Sequence, residues 1–367
     1  RHWRCRHTLV MAKHRLFGEQ AKEKTRALPK SSKKIGTHSG NFQADEALAC
    51  WFLRQLPDYA GAEVVRSRDP AVLDELDIVV DVGGIYDLEK RRFDHHQRGF
   101  FETLDGEVGK ATCAEEATGR WKTKLSASGL VYKHYGRDIV ARLSGLTGEN
   151  VELAWAQVYD GLLEGVDAID NGIEICEGLP KYKQGSDVSS RVARLNPRWN
   201  EESDHADQCA RFEEASLLCG EEFLEVLSEV AEAWLPARAN VKDSLARRLQ
   251  VHPSGHVMKL ESGGLPWREH LYELEREAGC EGCIMYVLYQ DQSGMWRIQA
   301  VTVEGTLFQN RLSLPEPWRG LRNEALVEKS KIADCAFVHA NGFIGGNMTY
   351  EGVIAMATEA LKGLTPP

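Results

Sequence analysis

An α/β fold with a parallel sheet flanked by helices, followed by a smaller α+β domain, is the fold class this sequence predicts. Three observations predict it. Short apolar runs alternate with helical stretches before Pro236, two of those runs stop at glycine-containing turns beside an acid or a histidine, and beyond Pro236 the pattern changes to strands. A chain of 367 residues with 43% hydrophobic composition has room for about two domains. The boundaries fall at 1–33 for a basic N-terminal arm, 34–235 for the α/β domain with a helical extension, and 236–367 for the α+β domain.

The elements follow in order. Lys34 to Thr37 reads as a short strand entering the turn at Gly40, and Asp45 to Leu56 has helical apolar spacing stopped by Pro57. Glu63 to Arg66 is a second strand, Pro70 to Leu76 a short helix, and Ile78 to Val82 a buried strand ending at Gly83 and Gly84. Gly99 to Arg120 reads as a surface insertion with little order of its own. Ser126 caps a further helix, an acidic helix carries Glu152 through Asp167, and Phe212 to Trp234 forms a long amphipathic helix ended by Pro236. Strands are expected at His256 to Glu261, Cys283 to Gln290 and Met295 to Val303, the last two joined by a hairpin-like turn. Leu314 to Leu321 is extended, Cys335 to Asn347 is a strand running into a glycine-rich loop, and a helix from Tyr350 to Leu361 closes the pattern.

Charge is unevenly distributed. Arg1 to Lys34 holds 11 Lys or Arg and two acids, so it carries +9 of a formal net charge of -10 and leaves the rest at -19. An acidic body is a poor general nucleic-acid binder, so such a ligand must be gripped locally. The basic segment, rich in Arg, Lys, Ser and Thr, resembles a mitochondrial targeting region or a basic arm that docks on RNA or an acidic protein surface. No apolar run approaches the roughly 20 residues that span a bilayer, so a transmembrane segment is not expected. Nine scattered cysteines fit a reducing compartment, and Cys280 and Cys283 read as ordinary thiols.

Chemistry concentrates in four segments: Gly36 to Glu46 with His38, Asp45 and Glu46; Ile78 to Gly84 with Asp81; the triplet Asp94, His95 and His96; and Val166 to Gly172 with Asp167 and Asp170. Each offers carboxylate or imidazole ligands and none contains cysteine. Such donors suit a pair of hard divalent cations, Mn²⁺ or Mg²⁺, and argue against structural zinc. Carboxyl ends of parallel strands are where open α/β sheets place ligands, so these segments are expected to converge on one crevice. Arg191, Arg194 and Arg319 are candidates for contacts to a nucleic-acid backbone, with surface ion pairing as the other reading.

These motifs resemble the DHH phosphoesterase superfamily, which includes RecJ-type nucleases, nano-RNases and manganese inorganic pyrophosphatases. The four segments, with Ser190 to Pro197, Trp234 to Arg238, Leu314 to Arg322 and Val338 to Gly346, are most similar to its melanocyte-proliferating-gene family of mitochondrial and nuclear RNA exonucleases. The similarity runs in order from about Lys34 to Leu361.

The resemblance implies a DHH-type N-terminal domain and a metal-dependent phosphodiesterase acting 3′-to-5′ on single-stranded RNA or short oligonucleotides. It implies a mitochondrial location, in the matrix, with a nuclear or nucleolar pool, and an active site between the two domains. It assigns two divalent ions, Mn²⁺ preferred or Mg²⁺, to His38, Asp45, Asp81, His95 and either Asp167 or Asp170, with Asp81 bridging. His96 would face the phosphate, with Asp94 orienting its neighbour; Arg98, His339, Gly345 and Gly346 join the substrate-binding set. One departure stands out. The family reads Phe-His-x-Asp-Glu where this chain has Phe42, Gln43, Ala44, Asp45 and Glu46, so Gln43 offers only an amide oxygen as ligand. The alternative this raises is a catalytically inactive, nuclease-derived subunit or assembly factor of a mitochondrial ribonucleoprotein or respiratory complex. Hydrolysis of a small phosphorylated metabolite is a third reading.

Overall fold

The computed structural model describes residues 17–364, which fall into two compact units divided between Ala231 and Glu232. Expectations for residues 1–16 lie outside the described residues. In the first unit, α1 (residues 17–26) is followed by β1 (Lys34–Thr37), α2 (Ala44–Arg54), β2 (Glu63–Arg66), α3 (Pro70–Leu73), β3 (Ile78–Val80), β4 (Tyr86–Asp87) and β5 (Arg92–Phe93). Helices α4 (Ala127–Ser144), α5 (Glu149–Val158), α6 (Glu164–Asp170), α7 (Val188–Ala193) and α8 (His205–Glu229) complete it.

The sheet order is β2-β1-β3-β5-β4. β2, β1, β3 and β5 are parallel and β4 returns antiparallel on β5. Ile35, Ile78, Val79, Val80 and Phe93 are all buried, as expected for a sheet covered on both faces. Helix α2 is buried from Ala44 to Leu53 and packs against α4 and α8, where Phe52 meets Tyr132 and Phe223. A helix apolar on nearly every side belongs in a core, and its first turn is buried with it. That turn carries Asp45 and Glu46.

Part of the basic segment is ordered. Phe17 and Ala21 of α1 are buried, Lys24 Nζ donates to the Leu143 carbonyl and Thr25 Oγ1 donates to Gln55. The insertion after Gly99 has no helix or strand, yet it is fixed: buried Glu102 accepts from Gly109 N–H and pairs with Lys133, whose ammonium also donates to the carbonyls of Thr103 and Gly106. The acidic helix is longer than its sequence pattern suggests, and a π-helical turn at Tyr159–Leu163 separates α5 from α6. Such turns recur at functional sites.

The second unit holds α9 (Leu235–Ala246), α10 (Arg248–Val251), β6 (Val257–Lys259), α11 (Arg268–Glu277), β7 (Tyr286–Gln290), β8 (Trp296–Ala300), α12 (Asn323–Ser330), β9 (Cys335–Val338), β10 (Ile344–Asn347) and α13 (Tyr350–Leu361). Its sheet order is β6-β7-β8-β10-β9, parallel only between β6 and β7. One core lies under α13, with Val353, Met356 and Trp318, and another under α11, with Leu271, Leu274 and Trp267. The expected glycine-rich loop is instead β10. Gly345 and Gly346 pair with β8 and β9, and a Cβ at Gly346 would meet Phe337 Cε1 and Met295 Sδ at 3.0 Å. The glycines admit those side chains against the strand.

Candidate metal centre

Three neighbouring parallel strands end side by side, and each delivers a ligand-type side chain at its carboxyl end. His38 follows β1, Asp81 follows β3, and Asp94, His95 and His96 follow β5. Asp81 adopts φ 56°, a left-handed conformation that a short polar side chain tolerates better than most, while its N–H still donates to the Phe93 carbonyl. Strain of this kind recurs where a side chain must be aimed. Gly83 and Gly84 continue in positive φ, and Gly84 N–H donates to Asp94 Oδ2 at 2.6 Å.

Helices close the cluster. The loop before α2 is held by Asn196, whose amide exchanges two hydrogen bonds with the Phe42 backbone (2.9 and 2.7 Å). Buried Arg66 donates to the Gly40 carbonyl and lies over the rings of Phe42 and Phe212. The first turn of α2 thereby presents Asp45 and Glu46, and the last turn of α6 presents Asp170.

The resulting geometry is compact. His38 Nε2 is 3.1 Å from Glu46 Oε1 and 3.3 Å from Asp81 Oδ2; His95 Nε2 is 3.2 Å from Asp81 Oδ1 and 3.1 Å from Asp170 Oδ2. The two oxygens of Asp81 face different imidazoles. Three sets of ligand atoms gather within 4.8 Å: Asp81 with His95 and His96, His38 with Glu46 and Asp81, and Asp45 with His95 and Asp170. Asp81 and His95 are each shared between two sets.

The outer ring nitrogens fix the tautomers. His38 Nδ1 lies 3.3 Å from the Ser39 carbonyl, an acceptor only, so Nδ1 carries the proton. The Asn171 amide nitrogen donates to the carbonyls of Lys124 and Asp167, both at 2.9 Å, so its oxygen faces His95 Nδ1 at 3.2 Å. Both histidines therefore turn Nε2 inward with Nδ1 held from behind, the arrangement of metal-binding imidazoles. His96 is different. Its Nδ1 donates to Asp94 Oδ1 at 2.8 Å, and its side chain is 63% exposed.

The donor set fits divalent cations. Asp45, Glu46, Asp81 and Asp170 crowd four carboxyl groups around two imidazoles in a buried space, which is unfavourable without positive charge. Asp45 Oδ1, Asp81 Oδ1, His95 Nε2 and Asp170 Oδ2 are buried without a hydrogen bond, although the His95 contacts are 3.1–3.2 Å. Close atoms that are not aligned with one another suit ligands arranged about a common centre. Protons substitute in part: burial opposes charge on both rings, but the close contacts and fields of Asp81 with Glu46 and Asp81 with Asp170 raise His38 to about 10 and His95 to about 9. Asp81 is lowered, because its contacts with the two imidazoles outweigh its burial, and burial with neighbouring acids holds Asp45 well above the usual carboxylate range.

A pH dependence follows. Raised folded-state values for His38, His95 and Asp45 mean that the stability they contribute to the metal-free protein is complete at low pH and is lost as pH rises through those values. Metal must displace the same protons. The midpoint of thermal unfolding of the metal-free protein is therefore expected to fall between pH 7 and 10 as the histidines lose their protons near 9 and 10, with the rescue by added Mn²⁺ growing over that range. A rescue independent of pH would show that these rings are not the ligands.

Other residues singled out in the sequence lie elsewhere. Asp167 is fully buried and accepts from Ser126 N–H and Oγ, Gly129 N–H and Tyr159 OH, so it caps α4 and takes no part in the cluster. Burial nevertheless carries its carboxyl up to about 7 against those donors. Gln43 is exposed at the start of α2, its N–H capped by both Glu46 oxygens, and Glu46 is the residue of that motif that faces His38. The sequence offers Glu46 as a carboxylate of that segment without assigning it to an ion, and a glutamate three residues into a helix also serves as a cap. Arg98 is exposed, Arg191 pairs with Glu222, and Arg194 donates to the Gly185 carbonyl. In the second unit, Arg319 donates to the Leu314 carbonyl, His339 is exposed beside Phe343, and Gly345 and Gly346 spend their backbone groups on strand pairing.

Fold and site together define a protein with a candidate dinuclear acid-and-imidazole centre at the carboxyl ends of a parallel sheet. Comparison supplies the family. The family model MYG1_exonuc, described as "Uncharacterised protein family (UPF0160)", matches residues 34–361. The chain is 47% identical over 366 residues to MYG1 exonuclease of Mus musculus, covering 98% of this chain and 94% of that protein. It is 47% identical over 361 residues to MYG1 exonuclease of Homo sapiens (96% and 93% covered) and 43% identical over 330 residues to MYG1 protein of Dictyostelium discoideum (89% and 96% covered). The chain belongs to the MYG1 exonuclease family. A solved DHH domain from a member of the s1p family of ribosomal proteins aligns over 96% of this chain and 92% of its own at 15% identity, but a TM-score of 0.25 does not establish a shared fold.

Proposed function

We propose that this protein is a two-metal phosphodiesterase that shortens single-stranded RNA or short oligonucleotides from the 3′ end in mitochondria, with Mn²⁺ preferred over Mg²⁺. The observation that carries the reading is the convergence of His38, Asp81 and His95, from three adjacent strand ends, with Asp45, Glu46 and Asp170 from two helix ends. The mouse and human relatives are named exonucleases, which supports the reaction class. Oxygen-rich ligands with imidazole suit Mn²⁺, which tolerates nitrogen better than Mg²⁺ does.

When bound, a pair of such ions polarises a phosphoryl oxygen and activates water for in-line displacement. The protein does the rest. Asp81 spans the two ligand sets, Asn171 and the Ser39 carbonyl lock His95 and His38 in their ligand tautomers, and Asp94 holds the exposed His96 by Nδ1, so that as the imidazolium the ring can donate from Nε2 to a phosphate oxygen. Arg98 stands exposed two residues beyond it as a further phosphate contact.

One observation favours a second reading, a catalytically inactive nuclease-derived subunit of a larger mitochondrial assembly docked through the basic N-terminal segment. Gln43 stands where the resemblance expects histidine, which removes a strong ligand from one ion. The test is direct. The purified protein with Mn²⁺ is expected to release mononucleotides from a short 3′-end RNA, and Gln43→His to raise turnover by roughly tenfold or more, the scale of one lost metal ligand or its support. No cleavage by either form, with two ions bound, would select the second reading.

A further inference from the structure

The segment joining the insertion to α4 is pinned at four successive residues. Thr123 Oγ1 donates to Glu164 Oε1 at 2.8 Å, the Lys124 carbonyl accepts from Asn171 Nδ2 at 2.9 Å, Leu125 N–H donates to the Glu102 carbonyl at 2.8 Å, and Ser126 N–H donates to Asp167 Oδ1 at 3.0 Å. Asn171 is the residue that holds His95. Lys124 is thus separated from a cluster imidazole by a single side chain, on a backbone that has little freedom to move.

Its ammonium has no matching partner. The side chain is half-buried, lies 5.7 Å from the centre of the Phe100 ring, and forms no ion pair or hydrogen bond among the described residues. The charges that act on it are those of Asp170 and Asp94, which belong to the cluster and its support, while burial pulls the amine below its ordinary value. A cation taken partly out of water is unfavourable unless an anion joins it. Neither acid forms an ion pair with it among the described residues: Asp94 accepts from Gly84 and His96, and Asp170 faces His95. An anionic ligand would supply the counter-charge this position lacks.

We propose that Lys124 is a phosphate-contacting residue, its ammonium donating to a non-bridging oxygen of the phosphoryl group that the metal centre receives. The proposal rests on the phosphodiester reading of the site and adds a residue to it. Lys124 supplies a positive charge from the protein itself to a group on which negative charge builds up during phosphoryl transfer.

The test uses the full chain loaded with Mn²⁺ and two probes, inorganic phosphate by calorimetry and a short RNA by cleavage. Lys124→Met keeps the stem and removes the charge, and Lys124→Arg keeps the charge. Lys124→Met is expected to weaken phosphate binding roughly 10- to 100-fold, the scale of one charge-assisted hydrogen bond, with Lys124→Arg retaining most of it and Mn²⁺ content unchanged in both. Unchanged phosphate affinity in Lys124→Met overturns the proposal. So does a fall in Mn²⁺ content or in unfolding midpoint that accounts for the loss, because the segment would then be structural. If the unaltered protein binds phosphate through Lys124 but cleaves no RNA, the contact stands and the exonuclease reading falls.

Discussion

Replacing Asp81 by Asn is expected, on the proposed two-metal reading, to abolish ion binding and to reduce cleavage of a short RNA by roughly a thousandfold or more, since such ions would supply several kcal/mol of charge stabilisation. Asparagine tolerates the left-handed backbone almost as well as aspartate, so the φ of 56° adds little strain and the effect isolates the charge. The substitution removes the anion facing both His38 Nε2 and His95 Nε2. Both rings then lose part of what raises them, and the metal-free variant should take up fewer protons at neutral pH. Metal analysis with parallel cleavage assays decides the matter: an Asp81→Asn protein that still carries two ions would show that this carboxylate does not span the site.

Asp167→Ala is expected to behave in the opposite way, destabilising the first unit by about 3–5 kcal/mol while Asp170→Ala destabilises little and loses metal. Asp167 accepts from Ser126 N–H and Oγ, Ser128 Oγ and Gly129 N–H at the start of α4 and from Tyr159 OH, and is fully buried, so its removal strands Ser126 N–H, Gly129 N–H and Tyr159 OH without partners. Gly129 is matched to it: a Cβ there would lie 2.3 Å from Asp167 Oδ2. For a unit of this size, each kcal/mol moves the midpoint of thermal unfolding by roughly 2–4 °C, so a drop of about 6–20 °C is readable by calorimetry. Equal midpoints for the two alanine variants would contradict the division of labour between these aspartates.

Two of the three ligand-bearing strands, β1 and β3, were legible with β2 beside them because their composition leaves little choice, whereas β5, only Arg92–Phe93, is too short to announce itself and was not expected. Lys34–Thr37 and Glu63–Arg66 have the expected bounds, and the run ending at Val80 is apolar and β-branched, the composition of a strand buried on both faces. Asp167 and Asp170 are harder to tell apart. Three residues apart on a helix, they differ by only about 4.5 Å along the axis and share a face, so spacing cannot say which reaches the centre. The π turn before α6 and the position of α2 decide it. Glu46 was offered by its segment but not assigned to an ion, and the role of Asn171 behind His95 was not read, because a first-turn glutamate and an asparagine at a helix end both have ordinary local explanations.

Composition and periodicity determined the α/β character of the first unit, the strand-rich second unit, and the residue types of the centre, because apolar spacing and ligand chemistry are local properties of the chain. Only the tertiary structure decided the partnership of those residues. Strand order set β1, β3 and β5 side by side, and helix packing brought Asp45, Glu46 and Asp170 over their ends. Neighbours in that arrangement come from positions as far apart as Asp45 and Asp170, and which carboxylates meet in space depends on how whole elements pack rather than on any residue's immediate surroundings.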